Sequence, residues 1–343
     1  MKEGEDKMTI EIAIKKLTSR EVLSEDEVRA VINQIMRGEA TSAQIGAFLI
    51  GLKINGETPS QILGAVKALR DNFTPVKIVK PKHLIDTCGT GGDGAKTFNI
   101  STAVAIVAAS GGAKVAKHGN RAVSSKSGSA DVLNELGIKI DFDENQSREI
   151  IEKNGMAFLF APMYNGAMKN VANERKELGT RTIFNIIGPL SNPAPLTGQL
   201  LGVYDKTLIQ PIGEALLNLG LNRAMVVCGD DGLDEITTTT TTNVCEIKNG
   251  KLISYKLDPE TLGFKKAELK EIKGGDAKEN ARIILKILKG EKGPARDIVA
   301  LNAGAALYVA ELVDSIKVGI EKANELIDSG IAFEKYKELV NIS

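Results

Sequence analysis

From residue 76 onward, short apolar runs alternate with helical segments, and this alternation constrains the fold more than any other feature of the sequence. Such an order is typical of successive β-α-β units, which form a mostly parallel sheet covered by helices. We therefore predict a large α/β domain over residues 76–343. The runs predicted to be strands are HLIDTCG, AKVAKHG, IKIDFD, MAFLFAP, QLLGVYD and RAMVVCGD, and the C-terminal third adds a hairpin, VCEIKNGKLISYKL, and three helices.

Residues 1–75 carry only helical signals. At three positions a Ser or Thr able to cap a helix precedes, by three residues, a Glu or Gln able to cap it in return. We predict three or four short helices that pack as a small bundle, forming a helical domain over residues 1–75. The capping pairs are Ser24 with Glu27, Thr41 with Gln44, and Thr58 with Gln61.

The segment 165–195 is also helical in character and ends in the turn-rich sequence GPLSNPAP. This character matches the N-terminal segment better than the sheet. We therefore predict that the helices of residues 165–195 join the bundle and that the turn serves as a hinge.

The composition limits the classes of function. Lys and Arg together number 44 and offset 44 Asp and Glu, which argues against a protein that binds nucleic acid or a membrane surface through bulk charge. An anionic ligand must therefore be held locally. Cys88, Cys228 and Cys245 lack paired-ligand spacing and are predicted to be buried thiols. The charged N-terminus lacks the apolar core of a signal peptide, so we expect a cytoplasmic protein.

Glycine is concentrated in the loop that follows the first predicted strand, GTGGDGAKT, and a helix is predicted to open near Asn99. Backbone N–H groups at such a helix start bind phosphate, and glycines let them approach it closely. The loop also matches the dinucleotide pattern G-x-G-x-x-G, but the helix begins about five residues too late for that fingerprint. The next strand ends in KHGNR, where a dinucleotide site would need an acidic residue. A small phosphorylated ligand is the better prediction.

Four carboxylates follow the strand RAMVVCGD, in the loop that contains Asp230, Asp231, Asp234 and Glu235. An acidic turn of this kind is often only solvated. Here it follows the same sheet edge as two anion-binding loops, and Mg²⁺ is typically held by one or two carboxylates together with substrate phosphates. The sequence therefore predicts a magnesium site beside the phosphate loops.

Several blocks along the chain together resemble one family, the anthranilate phosphoribosyltransferases of the nucleoside phosphorylase and phosphoribosyltransferase superfamily. The resemblance implies a homodimer with a small helical domain and a larger α/β domain. It also implies transfer of the phosphoribosyl group of 5-phosphoribosyl 1-diphosphate to anthranilate in tryptophan biosynthesis, with Mg²⁺ and release of diphosphate. The blocks, in order, are GTGGDG, TFNIST, KHGNR, SGSADVLNELG, ERKELGTRTIFNIIGPLSNPA, GLDE and PARDIVALNAGAALYVA.

The resemblance also implies roles for individual residues, none of them a dedicated catalytic acid or base. Phosphoribosyl diphosphate would be bound by Gly89, Gly92, Asp93, Thr97, Asn99, Ile100, Ser101, Thr102, Lys117, His118, Gly119, Asn120, Ser125 and Ser129. Anthranilate would be bound by Gly89, Asn120, Arg175, Gly188 and Pro189, and magnesium by Ser101, Asp234 and Glu235.

Alternatives stay open at this point. Many members of the family carry a His-Pro pair where this chain has Asn165 and Gly166, so another aromatic acceptor is an alternative substrate. A pyrimidine nucleoside phosphorylase would share the architecture but would bind free phosphate. A nucleic-acid-binding relative would be expected to have a positive net charge and a disrupted acidic loop. His83 is expected to be structural, whereas His118 could be a ligand donor or a spacer.

Overall fold

A computed structural model describes residues 8–122 and 126–342. The chain divides into two compact units, described separately below. The helical unit contains residues up to Thr74 and Tyr164–Ser191, and the α/β unit contains Pro75–Met163 and the residues from Asn192 onward. The chain thus passes between the units three times.

The helices and strands are numbered in chain order. They are α1 (Ile10–Thr18), α2 (Glu25–Met36), α3 (Ser42–Asn55), α4 (Pro59–Asp71), β1 (Leu84–Gly89), α5 (Ile100–Ser110), β2 (Lys114–Gly119), α6 (Ser129–Glu135), α7 (Glu144–Asn154), β3 (Met156–Phe160), α8 (Ala161–Tyr164), α9 (Lys169–Leu178), α10 (Ile183–Ile187), β4 (Gly198–Gly202), α11 (Ile209–Asn218), β5 (Arg223–Gly229), β6 (Thr242–Lys248), β7 (Lys251–Leu257), α12 (Ala277–Leu288), α13 (Pro294–Val309), α14 (Ile316–Asp328) and α15 (Ile331–Val340).

In the helical unit, α2, α3 and α4 each begin directly after the first residue of a predicted capping pair. Ser24 Oγ accepts from the Glu27 backbone N–H at 3.3 Å, and the Glu27 carboxylate accepts from the Ser24 N–H at 2.8 Å. The same reciprocal bonds start α3 and α4, so the predicted capping boxes are confirmed. α2 packs against α4 and α1 against α3, while α9 contacts α2 and α3, and α10 contacts α3 and α4.

The α/β unit is built on a seven-stranded sheet in the order β3-β2-β1-β4-β5-β6-β7. All pairs from β3 to β5 are parallel, and β6 and β7 form an antiparallel hairpin on β5. Helices α5, α7, α11 and α13 pack against the strands. The predicted α/β fold with a mostly parallel sheet, and the predicted hairpin, are therefore confirmed. Because the first five strands are parallel, the loops after their carboxyl ends share one edge of the sheet.

Two expectations were wrong. The run IKIDFD forms no strand, although Ile138, Ile140 and Phe142 are buried and the residues between them are exposed. An extended segment that is buried on one side shows the same alternation of buried and exposed residues without pairing with a strand. The position next to β2 in the sheet is occupied by β3. In addition, four helices follow the β6–β7 hairpin rather than three, because α14 and α15 are separated by a short turn at Gly330.

The three cysteines lie on β1, β5 and β6, and all are buried and free, as predicted. His83 has a structural contact, since its Nδ1 lies 2.6 Å from the Ala310 carbonyl oxygen. Within the described residues, the helices are too short or too polar to cross a lipid bilayer.

Candidate active site

Four parallel strands, β1, β2, β4 and β5, each end in a glycine, and the loops after three of them carry the predicted site residues of the α/β unit. The first loop leaves β1 at Gly89 and reaches the start of α5 at Asn99. It is tied to the neighbouring strand, because the Thr90 N–H donates to the Gly202 carbonyl at 2.9 Å. Within the loop, Asp93 Oδ1 accepts from the Ala95 N–H at 3.0 Å. The first loop therefore has a defined shape over the strand ends.

The acidic loop after β5 lies directly on the first loop. The Gly91 N–H donates to Asp234 Oδ2 at 2.7 Å, and the Ser101 N–H at the start of α5 donates to the Glu235 carboxylate. The backbone of this loop also passes very close to β4. A Cβ atom added to Gly202 would lie 1.6 Å from the Asp234 carbonyl oxygen, so only glycine fits there.

The four acidic residues of this loop separate into two pairs. Asp230 accepts from Lys256 Nζ at 2.8 Å and from Thr241, and Asp231 accepts from Thr237 Oγ1 at 3.0 Å. Asp231 also accepts from Thr239. Every second threonine of the run Thr237–Thr242 therefore holds one of the first two carboxylates. Only Asp234 and Glu235 face the first loop.

The second pair is costly to bury without a cation. Burial, together with the charge of the nearby Asp93, raises the pKa of Asp234 to about 7. Burial, and then the charge of Asp234, raises the pKa of Glu235 well above its usual range. Asp93 Oδ2 is buried and has no hydrogen-bond partner. Carboxylates buried close together gain from a nearby positive charge, and their oxygens are the ligands that divalent cations such as Mg²⁺ prefer.

The protein alone does not supply a complete ligand set. In residues 8–122 and 126–342, no three His, Cys, Asp or Glu side chains are arranged to hold a metal ion. This arrangement agrees with Mg²⁺, which commonly takes one or two carboxylates and completes its shell with substrate phosphates and water. The predicted ligands Ser101, Asp234 and Glu235 therefore fit Mg²⁺ brought in with an anionic substrate.

Lys117, near the end of β2, is a buried cation between the loops. Only 2% of the residue is exposed, and its Nζ donates to the Thr87 carbonyl at 2.5 Å and to Ser101 Oγ at 3.2 Å. Burial lowers its pKa, and the charges of Asp86, Glu235 and Asp234 oppose that shift. The lysine thus links β1 and α5 immediately beneath the first loop.

Asp86 supports the same region from β1, and the sequence analysis gave it no role. Its carboxylate is fully buried, and burial raises its pKa. Oδ1 accepts from the His118 N–H at 3.3 Å, and Oδ2 accepts from Asn192 Nδ2 at 2.9 Å. The Asn192 amide also donates to the Ala116 carbonyl at 2.8 Å. Asp86 and Asn192 together fix the end of β2, which leads into the second loop.

The second loop runs from Gly119 to the start of α6. The Asn120 carbonyl accepts from the Ala130 N–H at 3.2 Å and from Ser129 Oγ at 3.4 Å, which brings two predicted residues together. A further residue, Asp131, was missed by the sequence analysis: its carboxylate accepts from the N–H groups of Ala122 and Gly128, both at 2.9 Å. Its position three residues after Gly128 is a capping position that could have revealed it. The predicted Ser125 lies outside the described residues.

The remaining predicted residues of the first loop lie within the loop or at the start of α5. Ile100 is buried, and Thr102 is buried with its hydroxyl unpartnered. Thr97 pairs with Lys273 in an isolated antiparallel bridge, and Asn99 hydrogen-bonds a side chain of α12. Gly92 lies between Gly91 and Asp93 in the same loop.

Arg175, Gly188 and Pro189, predicted for anthranilate, lie in the helical unit, whereas Gly89 and Asn120 lie in the α/β unit. Arg175 is on α9, half-buried, with its guanidinium 5.6 Å from the centre of the Phe184 ring. Burial lowers its pKa. Gly188 directly follows α10 as its C-terminal capping residue, and Pro189 begins a short 3₁₀ turn.

The edge of the α/β sheet therefore combines backbone N–H groups at a helix start, a buried lysine and two buried carboxylates that need a cation. These groups suit a ligand with several phosphate oxygens and an accompanying divalent metal ion.

Family models match both parts of the chain. Residues 81–333 match the a/b domain of the glycosyl transferase family, and residues 12–73 match its helical bundle domain. The fold and the loops thus define an enzyme of the glycosyl transferase class.

Individual relatives narrow this class. An anthranilate phosphoribosyltransferase of Clostridium beijerinckii is 75% identical over 335 residues, 98% of this chain and 99% of the relative. The crystal structure of the Thermus thermophilus enzyme of the same name is 42% identical with a TM-score of 0.90, over 96% of this chain and 98% of that one.

The Saccharomyces cerevisiae enzyme has been solved with its ligands. Its complex with PRPP and Mg is 30% identical with a TM-score of 0.89, and covers 97% of both chains. Its complex with 4-fluoroanthranilate is 29% identical with a TM-score of 0.86, again over 97% of both. The present chain belongs to the anthranilate phosphoribosyltransferases of the glycosyl transferase family.

Proposed function

We propose that the chain transfers the 5-phosphoribosyl group of 5-phosphoribosyl 1-diphosphate to the amine of anthranilate, releasing diphosphate, in tryptophan biosynthesis. The observation that carries the proposal is that Lys117 and Glu235 meet at Ser101, at the start of α5, while Asp234 contacts the glycine-rich loop at Gly91. Family membership supports the identity of both substrates.

Phosphoribosyl diphosphate is assigned to the first two loops, where backbone N–H groups and Lys117 can hold its phosphates. The residues proposed to bind it are Gly89, Gly92, Asp93, Thr97, Asn99, Ile100, Ser101, Thr102, Lys117, His118, Gly119, Asn120, Ser125 and Ser129. Ser101, Asp234 and Glu235 would hold Mg²⁺. When bound, the ion would neutralise charge on the diphosphate.

In the proposed reaction, the bond from C1 of the ribose to the diphosphate oxygen breaks, and the oxygen keeps the bonding electrons. The lone pair of the anthranilate nitrogen forms the new bond to C1, and this nitrogen then releases a proton to solvent. Lys117 and the N–H groups of the first loop would stabilise the negative charge that builds up on the leaving diphosphate. An aromatic amine is neutral at pH 7, so the mechanism assigns no residue as a general base.

Anthranilate is assigned to Gly89 and Asn120 of the α/β unit and to Arg175, Gly188 and Pro189 of the helical unit. The guanidinium of Arg175 can pair with the carboxylate of anthranilate through two parallel hydrogen bonds. This assignment divides the substrates between a helical domain of residues 1–75 with 165–195 and an α/β domain of residues 76–343. A joint near Gly188 would allow the domains to close on both ligands.

The family resemblance further supports a homodimer in the cytoplasm that acts on small molecules rather than on nucleic acid or a membrane. The zero formal net charge agrees with this proposal, because bulk attraction to polyanions is absent.

A fluorescence assay tests the reaction. Anthranilate fluorescence is expected to fall when the purified chain, phosphoribosyl diphosphate and Mg²⁺ are mixed, and to persist when any one is left out. If the enzyme consumes a different aromatic amine and leaves anthranilate unchanged, that amine is the acceptor substrate. Phosphate-dependent cleavage of uridine or thymidine, with no use of phosphoribosyl diphosphate, would instead identify a pyrimidine nucleoside phosphorylase.

A further inference from the structure

The segment that leads into α12, Ile272 to Asp276, lies against the first phosphate loop although it is far away in sequence. The Gly274 N–H donates to the Lys96 carbonyl at 2.9 Å, and the Phe98 N–H donates to the Ile272 carbonyl at 3.4 Å. A Cβ atom on Gly274 would lie 2.6 Å from the Phe98 nitrogen, so the contact requires glycine. This buttress segment, residues 272–276, was not singled out by the sequence analysis.

Asn280, in the first turn of α12, connects the buttress segment to Asn99. Only 2% of Asn280 is exposed. Its Oδ1 accepts from the Gly275 N–H at 2.8 Å, and its Nδ2 donates to Asn99 Oδ1 at 2.9 Å. Asn99 Nδ2 in turn donates to the Ser127 carbonyl at 3.3 Å, on the far side of the second loop. One chain of hydrogen bonds therefore joins the buttress segment to both loops.

This chain has a fixed direction. A backbone N–H can only donate, so the Gly275 N–H requires the oxygen of Asn280 to face it. The amide nitrogen of Asn280 must then face Asn99, and only the oxygen of Asn99 can accept from it. The amide nitrogen of Asn99 consequently points away from α12, toward the loops that receive the ligand.

We propose that Asn280 is a positioning residue for phosphoribosyl diphosphate, which it serves by holding the Asn99 amide as a hydrogen-bond donor toward the ligand. The inference rests on the proposed binding site and adds a residue that would touch no substrate. It assigns the start of α12 a part in binding the phosphorylated substrate and none in binding anthranilate.

The variant Asn280→Asp tests the proposal in the full-length protein. It keeps the size of the side chain and the acceptor for Gly275, but it removes the donor to Asn99. Calorimetry with Mg²⁺ present is expected to show an increase of about tenfold in the Kd for phosphoribosyl diphosphate, because the variant loses one buried hydrogen bond. The KM for anthranilate is expected to stay within about twofold. Asn324→Asp is the control, because Asn324 Oδ1 accepts from the Arg296 guanidinium at 2.8 Å and the aspartate keeps that acceptor.

A double mutant separates positioning from a general structural role. In an Asn99→Ala background, Asn280→Asp is expected to change the Kd for phosphoribosyl diphosphate by less than about twofold, because the residue through which it acts is gone. A further tenfold loss in that background would overturn the proposal. If Asn280→Asp alone leaves the Kd for phosphoribosyl diphosphate unchanged while Asn99→Ala raises it, the proposed role of Asn280 is wrong. The proposed binding site would then still stand.

Two other outcomes are decisive. If Asn99→Ala itself leaves the Kd unchanged, the proposed binding site fails at this residue and the inference fails with it. If Asn280→Asp does not fold, Asn280→Ala replaces it in the same cycle, and failure of both to fold would show that Asn280 serves the fold rather than the ligand.

Discussion

At the scale of single residues, the acidic loop shows how four similar side chains acquire two roles. Asp230 and Asp231 are held by threonine hydroxyls and Lys256, whereas Asp234 and Glu235 are buried against the first phosphate loop. A sequence pattern of four carboxylates cannot distinguish these pairs. The structure does so because the first pair is held by side chains of its own loop and β7, whereas the second pair is buried and its pKa values are raised.

Exchanging each pair for amides gives a matched comparison within this one loop. Asp234→Asn with Glu235→Gln is expected to lower Mg²⁺-dependent turnover at least about a hundredfold, because the charges that would hold the ion are removed. Asp230→Asn with Asp231→Asn should lose far less activity. Turnover measured against Mg²⁺ concentration checks both, and equal losses in the two double variants would contradict the assignment of the metal to the second pair.

Lys117 offers a second test at this scale. Lys117→Met preserves most of the buried volume but removes the charge, and the Kd for phosphoribosyl diphosphate is expected to rise roughly ten- to hundredfold, as for a charge-assisted hydrogen bond to phosphate. Calorimetry measures the Kd, and thermal melting establishes that the variant is folded. Lys153→Ala is the control, since Lys153 forms an exposed pair with Glu149 on α7. Unaltered affinity in Lys117→Met would remove the lysine from the site.

At the scale of helices and strands, the close contact of β4 with the acidic loop makes a packing prediction. Gly202→Ala would place a methyl group against the Asp234 carbonyl, and such overpacking typically costs about 1–3 kcal/mol. We expect reduced Mg²⁺-dependent turnover and a lower melting temperature. Gly46→Ala on α3 is the control, because its new methyl group would meet only Leu178 at 3.9 Å. A Gly202→Ala enzyme with normal activity and melting would show that the loop shifts at little cost.

The sequence predicts those elements whose determinants are local. The capping pairs of α2, α3 and α4 and the parallel strands before the glycine-rich loops follow from neighbouring residues, and the structure has them. The strand predicted for IKIDFD is absent, because alternating burial can occur in a segment that pairs with no strand. Asn280 and Asn192 could not be found, because their partners lie 181 and 106 residues away. The site depends on long-range contacts that no single motif records.

At the scale of the whole molecule, the proposed ligands are divided between two units, so turnover should require the units to close on them. Small-angle scattering is expected to give a smaller radius of gyration with phosphoribosyl diphosphate, Mg²⁺ and an unreactive anthranilate analogue than without ligands. An unchanged radius with all three bound would argue against closure.

Gly188→Ala tests the joint itself. Gly188 has φ −51°, and a Cβ atom there would meet only the Phe184 carbonyl at 3.7 Å, so alanine fits and mainly reduces backbone freedom. We expect kcat to fall more than the affinity for phosphoribosyl diphosphate. A variant that binds this ligand poorly but has normal kcat at saturation would show that Gly188 shapes the site and is no hinge.

The hydrogen bond between Asn280 and Asn99 also has a consequence for the order in which the protein matures. During synthesis the chain leaves the ribosome from its N-terminus, so the glycine-rich loop emerges long before α12 does. Asn280 follows Asn99 by 181 positions, so all of the intervening chain must be made before the loop meets its support. A nascent chain that ends before α12 would therefore present the loop without Asn280, and full affinity for the phosphorylated substrate would be acquired only when translation is nearly complete.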